Sequence, residues 1–312
     1  MNIIKHRKVF YAISAFLVIV PVIAIFVWGL NFGIDFKGGS ILEVAYKNGR
    51  PDIEKIQEVV GTQNIGEVSI RPIGENDYLI RTSELPDKER AAFVNALGKG
   101  VDGFEVKRSD SIGPILGKEL QGKAIWSIVL VVLAIVLFIT FAFRKVSEPV
   151  SSFKYGLIAI AALVHDVIVP TGAFAVLGHT HGLEIDALFV TAILVVLGFS
   201  VHDTIVVFDR VRENLKNNTE AEEKKRGSGL PFDEIVNNSV NQTFARSVTT
   251  SLTVLLSLIA LYFFGPEATR NFSLALFIGV ASGTYSSIFF ASPLLVTLNK
   301  WQEKKAAKGK KA

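Results

Sequence analysis

The feature that most limits this chain is the recurrence of apolar runs long enough to cross a bilayer. A membrane-spanning helix needs about 20 consecutive, mostly apolar residues. Six segments meet that length: Val9 to Gly29, Ala124 to Phe143, Tyr155 to Leu177, Ala187 to Phe208, Ser247 to Phe264, and Phe272 to Leu298. Half of the 312 residues are hydrophobic and the mean hydropathy is +0.41, more apolar surface than a soluble domain of this size could bury. The first run follows His6, Arg7 and Lys8, as a secretory signal would. An h-region, however, spans only about 7 to 15 residues and ends at an A-x-A-like site. This run ends Val27-Trp28-Gly29 without one, so it reads as an uncleaved anchor.

The distribution of Lys and Arg orients the spans, because short cytoplasmic loops carry the excess. With both termini inside, the inner segments 1–8, 144–154, 209–246 and 299–312 hold nineteen basic residues, whereas the short outer loops 178–186 and 265–271 hold only Arg270. The long outer segment 30–122 is balanced, with 12 basic and 15 acidic residues. Trp28, Trp126 and Trp301 fall at span ends, where interfacial aromatics belong. The expected organisation is a cytoplasmic start and first span over 1–29 and an exported domain over 30–122. A five-span bundle over 123–298 contains the cytoplasmic loop 209–246, and a basic cytoplasmic tail covers 299–312. Acidic and basic residues followed by Gly227-Ser-Gly229 mark a flexible insertion around Glu220 to Gly229, and the tail from Lys304 reads as a stop-transfer and anionic-lipid contact.

Within the exported segment, apolar alternation predicts strands over Ser40 to Lys47, Gly66 to Ile73, Asp77 to Thr82 and Gly103 to Arg108. Amphipathic spacing predicts helices over Asp52 to Val60 and Pro86 to Leu97. The order βαββαβ is that of an α+β ferredoxin-like unit. The expected fold class is therefore an α-helical membrane protein with six transmembrane helices and one such domain.

Several chemistries are excluded or weak. Without cysteine there is no disulfide, thiol nucleophile or cysteine zinc site. A net charge of +4 is too small to argue for nucleic acid. Gly113-Pro-Ile-Leu-Gly117-Lys118 has three residues between its glycines and Glu119 after the Lys. A phosphate loop needs four residues there and a Ser or Thr after the Lys, so neither nucleotide hydrolysis nor any other enzymatic activity is expected. His179 and His181 alone supply too few ligands for a metal, and no cofactor is called for.

Ionisable residues inside the spans carry more information, since a charge at a helix centre costs about 2.5 to 3.5 kcal/mol on insertion scales. His165 and Asp166 lie near the middle of the third span. In the fourth, Asp203 sits beside His202, about 25 Å from the outer edge at 1.5 Å per residue, and Arg246 at the start of the fifth sits at about 28 Å. Similar depth predicts that Asp203 and Arg246 pair, at least transiently. Such a pair is either a static ion pair that fixes helix register, or a carboxylate that changes protonation as the helices move. Gly279 and Gly283, one turn apart in the sixth span, allow close helix approach.

Taken together, several motifs resemble the SecD/SecF family of protein-export membrane subunits. They include Gly33-Ile-Asp35-Phe-Lys-Gly38-Gly39-Ser40, Ser111-Ile-Gly113-Pro114-Ile-Leu-Gly117-Lys-Glu119-Leu120 and Ala162-Leu-Val-His165-Asp166-Val. Further matches are Val196-Leu-Gly198 through Asp203 to Asn214, Asn241 to Ser247, and Gly283 to Leu294. The smaller exported domain places the likeness on the SecF side of the family. The resemblance implies kinship with the proton-driven resistance-nodulation-division exporters. It also implies pairing with SecD beside the SecYEG channel, and use of the proton motive force to draw unfolded secretory polypeptide outward across the cell inner membrane. Asp203 and Arg246 match family positions implicated in that coupling, while His202 stands where the family usually carries Asn. A small-molecule or lipid exporter of the same superfamily and a structural scaffold for channel assembly share the six-span layout.

The orientation is directly testable in this cysteine-free chain. A membrane-impermeant maleimide applied from outside should label Gly74→Cys and spare Ala306→Cys; the opposite pattern would invert the topology.

Overall fold

A computed structural model describes residues 1–62, 65, 68–99, 101–142, 152–224 and 229–309. In chain order its elements are α1 (Arg7–Trp28), α2 (Ile34–Lys37), β1 (Gly39–Tyr46), α3 (Ile53–Gly61), β2 (Val68–Ile73), β3 (Asp77–Thr82), α4 (Asp87–Gly98) and β4 (Phe104–Ile112). They continue with α5 (Pro114–Ala142), α6 (Ser152–His181), α7 (Ala187–Lys224) and α8 (Phe232–Phe264). A 3₁₀ turn (Glu267–Thr269), α9 (Arg270–Tyr285), a π-helical segment (Ser286–Ala291) and α10 (Ser292–Gly309) complete the chain. Two compact units result: Met1–Asn31 with Ser127–Ala312, and Phe32–Trp126.

The first unit holds the membrane helices. Six helical stretches among the described residues have the length and apolarity to cross a bilayer. A helix is one of the two structures that satisfy every backbone group without water. Several helices outrun their apolar cores. α8 begins at Phe232, fifteen residues before the Ser247 that hydropathy marks, and α7 runs on to Lys224. The expected inner loop 209–246 is thus largely two helical extensions, since hydropathy detects the apolar run and polar residues can prolong a helix into water. Within the expected flexible insertion, Glu220 to Lys224 belong to α7, and 225–228 lie outside the described residues. Likewise α10 carries the basic tail in helix as far as Gly309.

Close contacts in this unit are set by small residues. Pro21 of α1 occupies the space a side chain at Gly172 of α6 would need: a Cβ there would lie 2.1 Å from the Pro21 Cβ. α9 approaches α7 in the same way, a Cβ on Gly279 falling 2.3 Å from Val196 Cγ2 and one on Gly283 3.0 Å from Ser200 Cβ. The buried cluster includes Tyr155 of α6 packed edge-on against Phe208 of α7, with Val236 of α8 and Leu295 of α10.

The second unit is a two-layer α/β domain. Its sheet has the order β2-β3-β1-β4 with every neighbouring pair antiparallel, the topology that βαββαβ connectivity produces in a ferredoxin-like fold. Period-two alternation turns Leu42, Val44 and Tyr46 of β1 and Tyr78 and Ile80 of β3 into one buried cluster with Ile56, Phe93 and Leu97 from the two helices. Leu42 stands opposite Ile80 and Val44 opposite Tyr78. β4 runs four residues beyond the expected Arg108, since Ser111 pairs with Ser40 in the ladder and their hydroxyls lie 2.8 Å apart. Polar residues 109–111 carry no hydrophobic alternation, so pattern alone stops short.

Tyr46 is fully buried, and its hydroxyl has no hydrogen-bond partner among the described residues. Burial, aided by the neighbouring Tyr78 phenol, pushes its pKa up to about 12. A folded-state value above the ordinary 10 gives a stability contribution that is complete below pH 10 and fades as pH rises toward 12. Tyr46→Phe removes an unsatisfied polar group, so urea unfolding of segment 32–126 produced alone should show a gain of about 1 kcal/mol. The variant should also lose less stability between pH 10 and 12. A loss of stability at neutral pH would contradict the unpartnered hydroxyl.

Candidate functional site

The candidate site is a buried polar seam where α6, α7, α8, α9 and the π-helical segment meet. Ser and Thr predominate in it, because a hydroxyl can donate to the carbonyl one turn back when no other acceptor is near. Ser251 bonds Ser247 O at 2.8 Å, Thr204 bonds Ser200 O at 3.1 Å, and Thr284 bonds Val280 O at 2.9 Å. Such residues cost little in an apolar interior and remain able to serve an acceptor on a neighbouring helix.

Asp166 of α6 is fully buried and is that acceptor. Its Oδ2 receives hydrogen bonds from Ser200 of α7 at 2.5 Å and from Ser286 of the π segment at 2.7 Å. Its Oδ1 receives one from Ser282 of α9 at 3.3 Å and lies 2.9 Å from His165 Nδ1. The carboxylate therefore ties three elements to α6. His165 is itself buried, its ring stacked 5.7 Å from Phe290 and 6.2 Å from Tyr285, and its Nε2 has no hydrogen-bond partner among the described residues.

The π-helical turn follows from the same seam. Ser292 bonds back five residues to Ser287 O at 3.0 Å. The widened turn aims two consecutive serines inward: Ser286 reaches Asp166, while Ser287 meets Thr204 Oγ1 at 2.9 Å and donates to Ser200 O at 3.3 Å. Such bulges occur often at functional sites. Reasoning from sequence passed over Ser200, Ser251 and Ser286 as individual site residues, although the density of hydroxyls from Thr284 to Ser287 was the available signal.

Asp203 of α7 is buried with much thinner support. Ser251 of α8 donates to its Oδ2 at 3.4 Å, a long contact, and Ser251 in turn accepts from Thr284 at 2.6 Å. The expected ion pair with Arg246 is absent from the described residues. Arg246 is exposed on α8, five residues before the Ser251 that meets Asp203. Five residues correspond to about 7.5 Å along the axis and about 140° around it, which turns Arg246 away from the seam. Counting depth from loop ends ignores that phase. His202 is likewise exposed, on the side of α7 opposite the seam.

Among the described residues no three His, Cys, Asp or Glu side chains converge as a metal site would require. His179 and His181 stand in the last turn of α6, not in a loop, with His179 stacked on Trp28 at 5.2 Å.

In the second unit the glycine motif closes the strand-to-helix junction. Gly33 caps α2, which contains Asp35, and Gly38 and Gly39 follow with φ of 80° and 131°. A Cβ on Gly38 would stand 2.9 Å from the Pro114 backbone, and one on Gly39 would stand 2.8 Å from Thr82 O. A Cβ on Gly117 would stand 3.0 Å from Phe36 O and Gly38 N, and one on Gly113 3.1 Å from the Glu84 carboxylate. Side chains at these positions would force the β1 and α5 starts apart.

Comparison with known proteins agrees with this architecture. Residues 93–301 match the family described as protein export membrane protein SecD/SecF, C-terminal, and residues 23–49 match the SecD/SecF GG motif. The chain is 42% identical to the protein translocase subunit SecF of Thermobaculum terrenum, covering 97% of this chain and 95% of the relative. It is 40% identical to that of Anaerolinea thermophila, with 95% and 93% covered. Among solved structures it resembles SecDF of Thermus thermophilus, described as a translocon-associated membrane protein, with a TM-score of 0.80 and 30% identity over 96% of this chain. SecDF in its super-membrane-facing form gives a TM-score of 0.68 at 31% identity over the whole chain. This chain spans about two fifths of those SecDF chains, 39% and 40%. By family match and by near full-length likeness to SecF proteins, the chain belongs to the SecD/SecF family of multi-pass protein-export membrane proteins.

Proposed function

We propose that this chain is the non-enzymatic SecF-type subunit of a protein translocase that joins SecD beside the SecYEG channel and couples proton movement to the outward passage of unfolded polypeptide. The observation that carries the coupling is the pair of buried carboxylates, Asp166 and Asp203, in one hydroxyl-lined seam between helices that must slide if the subunit is to change shape. Both termini face the cytoplasm in this reading, and the Phe32–Trp126 unit is exported.

The two carboxylates divide the work. Asp166 holds the seam together through donors from α7, α9 and the π segment. Asp203, with one long contact across to α8, is the group whose surroundings change most when α7 and α8 shift, and it takes up and releases the proton. Arg246 meets Asp203 only in a second arrangement, after α8 rotates and moves by about one and a half turns' rise. His165, bonded beside Asp166, positions that carboxylate. His202 faces outward from the seam.

The discriminating experiment compares two isosteric variants in vesicles holding the assembled complex. Asp203→Asn keeps shape but cannot release a proton, so gradient-stimulated export should fall at least about tenfold while assembly persists. Full stimulation in well-assembled Asp203→Asn vesicles would refute the coupling role and favour a scaffold. Asp166→Asn places an amide donor against serine donors, so it should instead destabilise the subunit by about 2 to 4 kcal/mol, seen as a lower melting temperature and less assembled complex.

A further inference from the structure

A second polar feature lies apart from the buried seam, at the end of the membrane unit where α1 and α8 begin. A cavity of 620 Å³ opens there, lined by Lys5, Arg7 and Lys8 before and within the first turn of α1, Asp233 and Glu234 in the first turn of α8, and Lys300 of α10. The segment bearing the first cations is fixed in place. Asn237 and Asn241 of α8 both donate to Met1 O, at 3.1 and 2.8 Å, and Ile3 and Ile4 are buried in the core. The cations are therefore held against the cavity and do not trail into solvent.

Their charges are not balanced from within. Lys300 is paired, its Nζ 2.6 Å from Asp233 Oδ2. Lys5, Arg7 and Lys8 have no ion-pair or hydrogen-bond partner among the described residues, against a single carboxylate, Glu234, that also lacks one. Directly beyond them α1 presents Val9, Ile13 and Phe16, which are 56%, 41% and 64% exposed. A positive cavity followed along one helix by an exposed apolar stripe complements an amphiphile with an anionic head.

We propose that this cavity is a binding site for the phosphate headgroup of an anionic phospholipid, with its acyl chains along the exposed face of α1. Lys5, Arg7 and Lys8 supply the charge and donors for the phosphate oxygens, and Lys300 stays with Asp233. The chemistry recognised is a phosphate anion. The adjoining apolar stripe distinguishes a lipid from free phosphate, since only a lipid gains by covering it.

The test uses the purified full chain in detergent, with native mass spectrometry reading the occupancy of added phosphatidylglycerol against phosphatidylcholine. A cation near an anionic lipid surface is worth about fivefold in binding. Lys5→Gln with Lys8→Gln should therefore weaken phosphatidylglycerol binding by about 25-fold, while Lys88→Gln with Lys99→Gln, which removes as many charges from the Phe32–Trp126 unit, should change it less than about twofold. Lys8→Gln alone, should the double variant fail to fold, should cost about fivefold. Equal affinity for the two lipids, equal loss in the Lys88→Gln with Lys99→Gln variant, or binding of inorganic phosphate without binding of phosphatidylglycerol would each overturn the proposal.

Discussion

The membrane unit depends on the satisfaction of one buried carboxylate. Asp166 is fully buried inside a helix bundle, where an unmet charge costs several kcal/mol, so its four oxygen-directed contacts are a requirement of the fold. Hydrogen bonds to a charged group are worth about 1.5 to 3 kcal/mol each, and here they arrive from α7, α9 and the π segment. Meeting that requirement fixes how the helices approach. Gly279 and Gly283 bring α9 within reach of α7, and the π turn rotates Ser286 inward to complete the set. A regular α-helix through 286–291 would leave one of the two serines facing away.

The exported-type domain obeys a different constraint and meets it by simpler means. Its order comes from the alternation of strands packed under two helices, and its junction with α5 comes from glycines where backbone approaches backbone. Several of its ion pairs, such as Lys47 with Glu105, lie on the surface, where they contribute little to stability. The two units are thus separated in how they are built: the α/β unit is stabilised mainly by apolar burial, with the Tyr46 hydroxyl as a buried polar cost, whereas the membrane seam buries two carboxylates.

This separation explains what could be read from the residues in advance. Six spans, the βαββαβ order and all four strand positions were legible, because hydrophobic period and run length report burial directly. The inward glycines at 279 and 283 were legible for the same reason. Asp166 and Asp203 stood out as ionisable residues within apolar runs, yet their partners did not, since partner choice depends on helix phase and depth at once. Arg246 illustrates the failure: correct to within a few residues in depth, it is turned about 140° from the seam by the five residues that separate it from Ser251. The polar extensions of α7 and α8 were also hidden, because hydropathy measures the membrane crossing and is indifferent to helix beyond it.

A seam built of hydroxyls has a further physical consequence that an ion-pair seam would lack. Ser251 already donates to Ser247 O at 2.8 Å while it contacts Asp203 at 3.4 Å, and Thr284 similarly serves both Val280 O and Ser251. When α7 and α8 move apart, each hydroxyl keeps a partner in its own helix, so the donor side of a broken contact is never left unsatisfied. An Arg in the same place would be stranded by the same motion at a cost of several kcal/mol. The cost of rearrangement then falls almost wholly on the carboxylate. Under the proposed function, the protonation of Asp203 is then the variable that selects the arrangement, which is the physical requirement for coupling a proton to a helix movement.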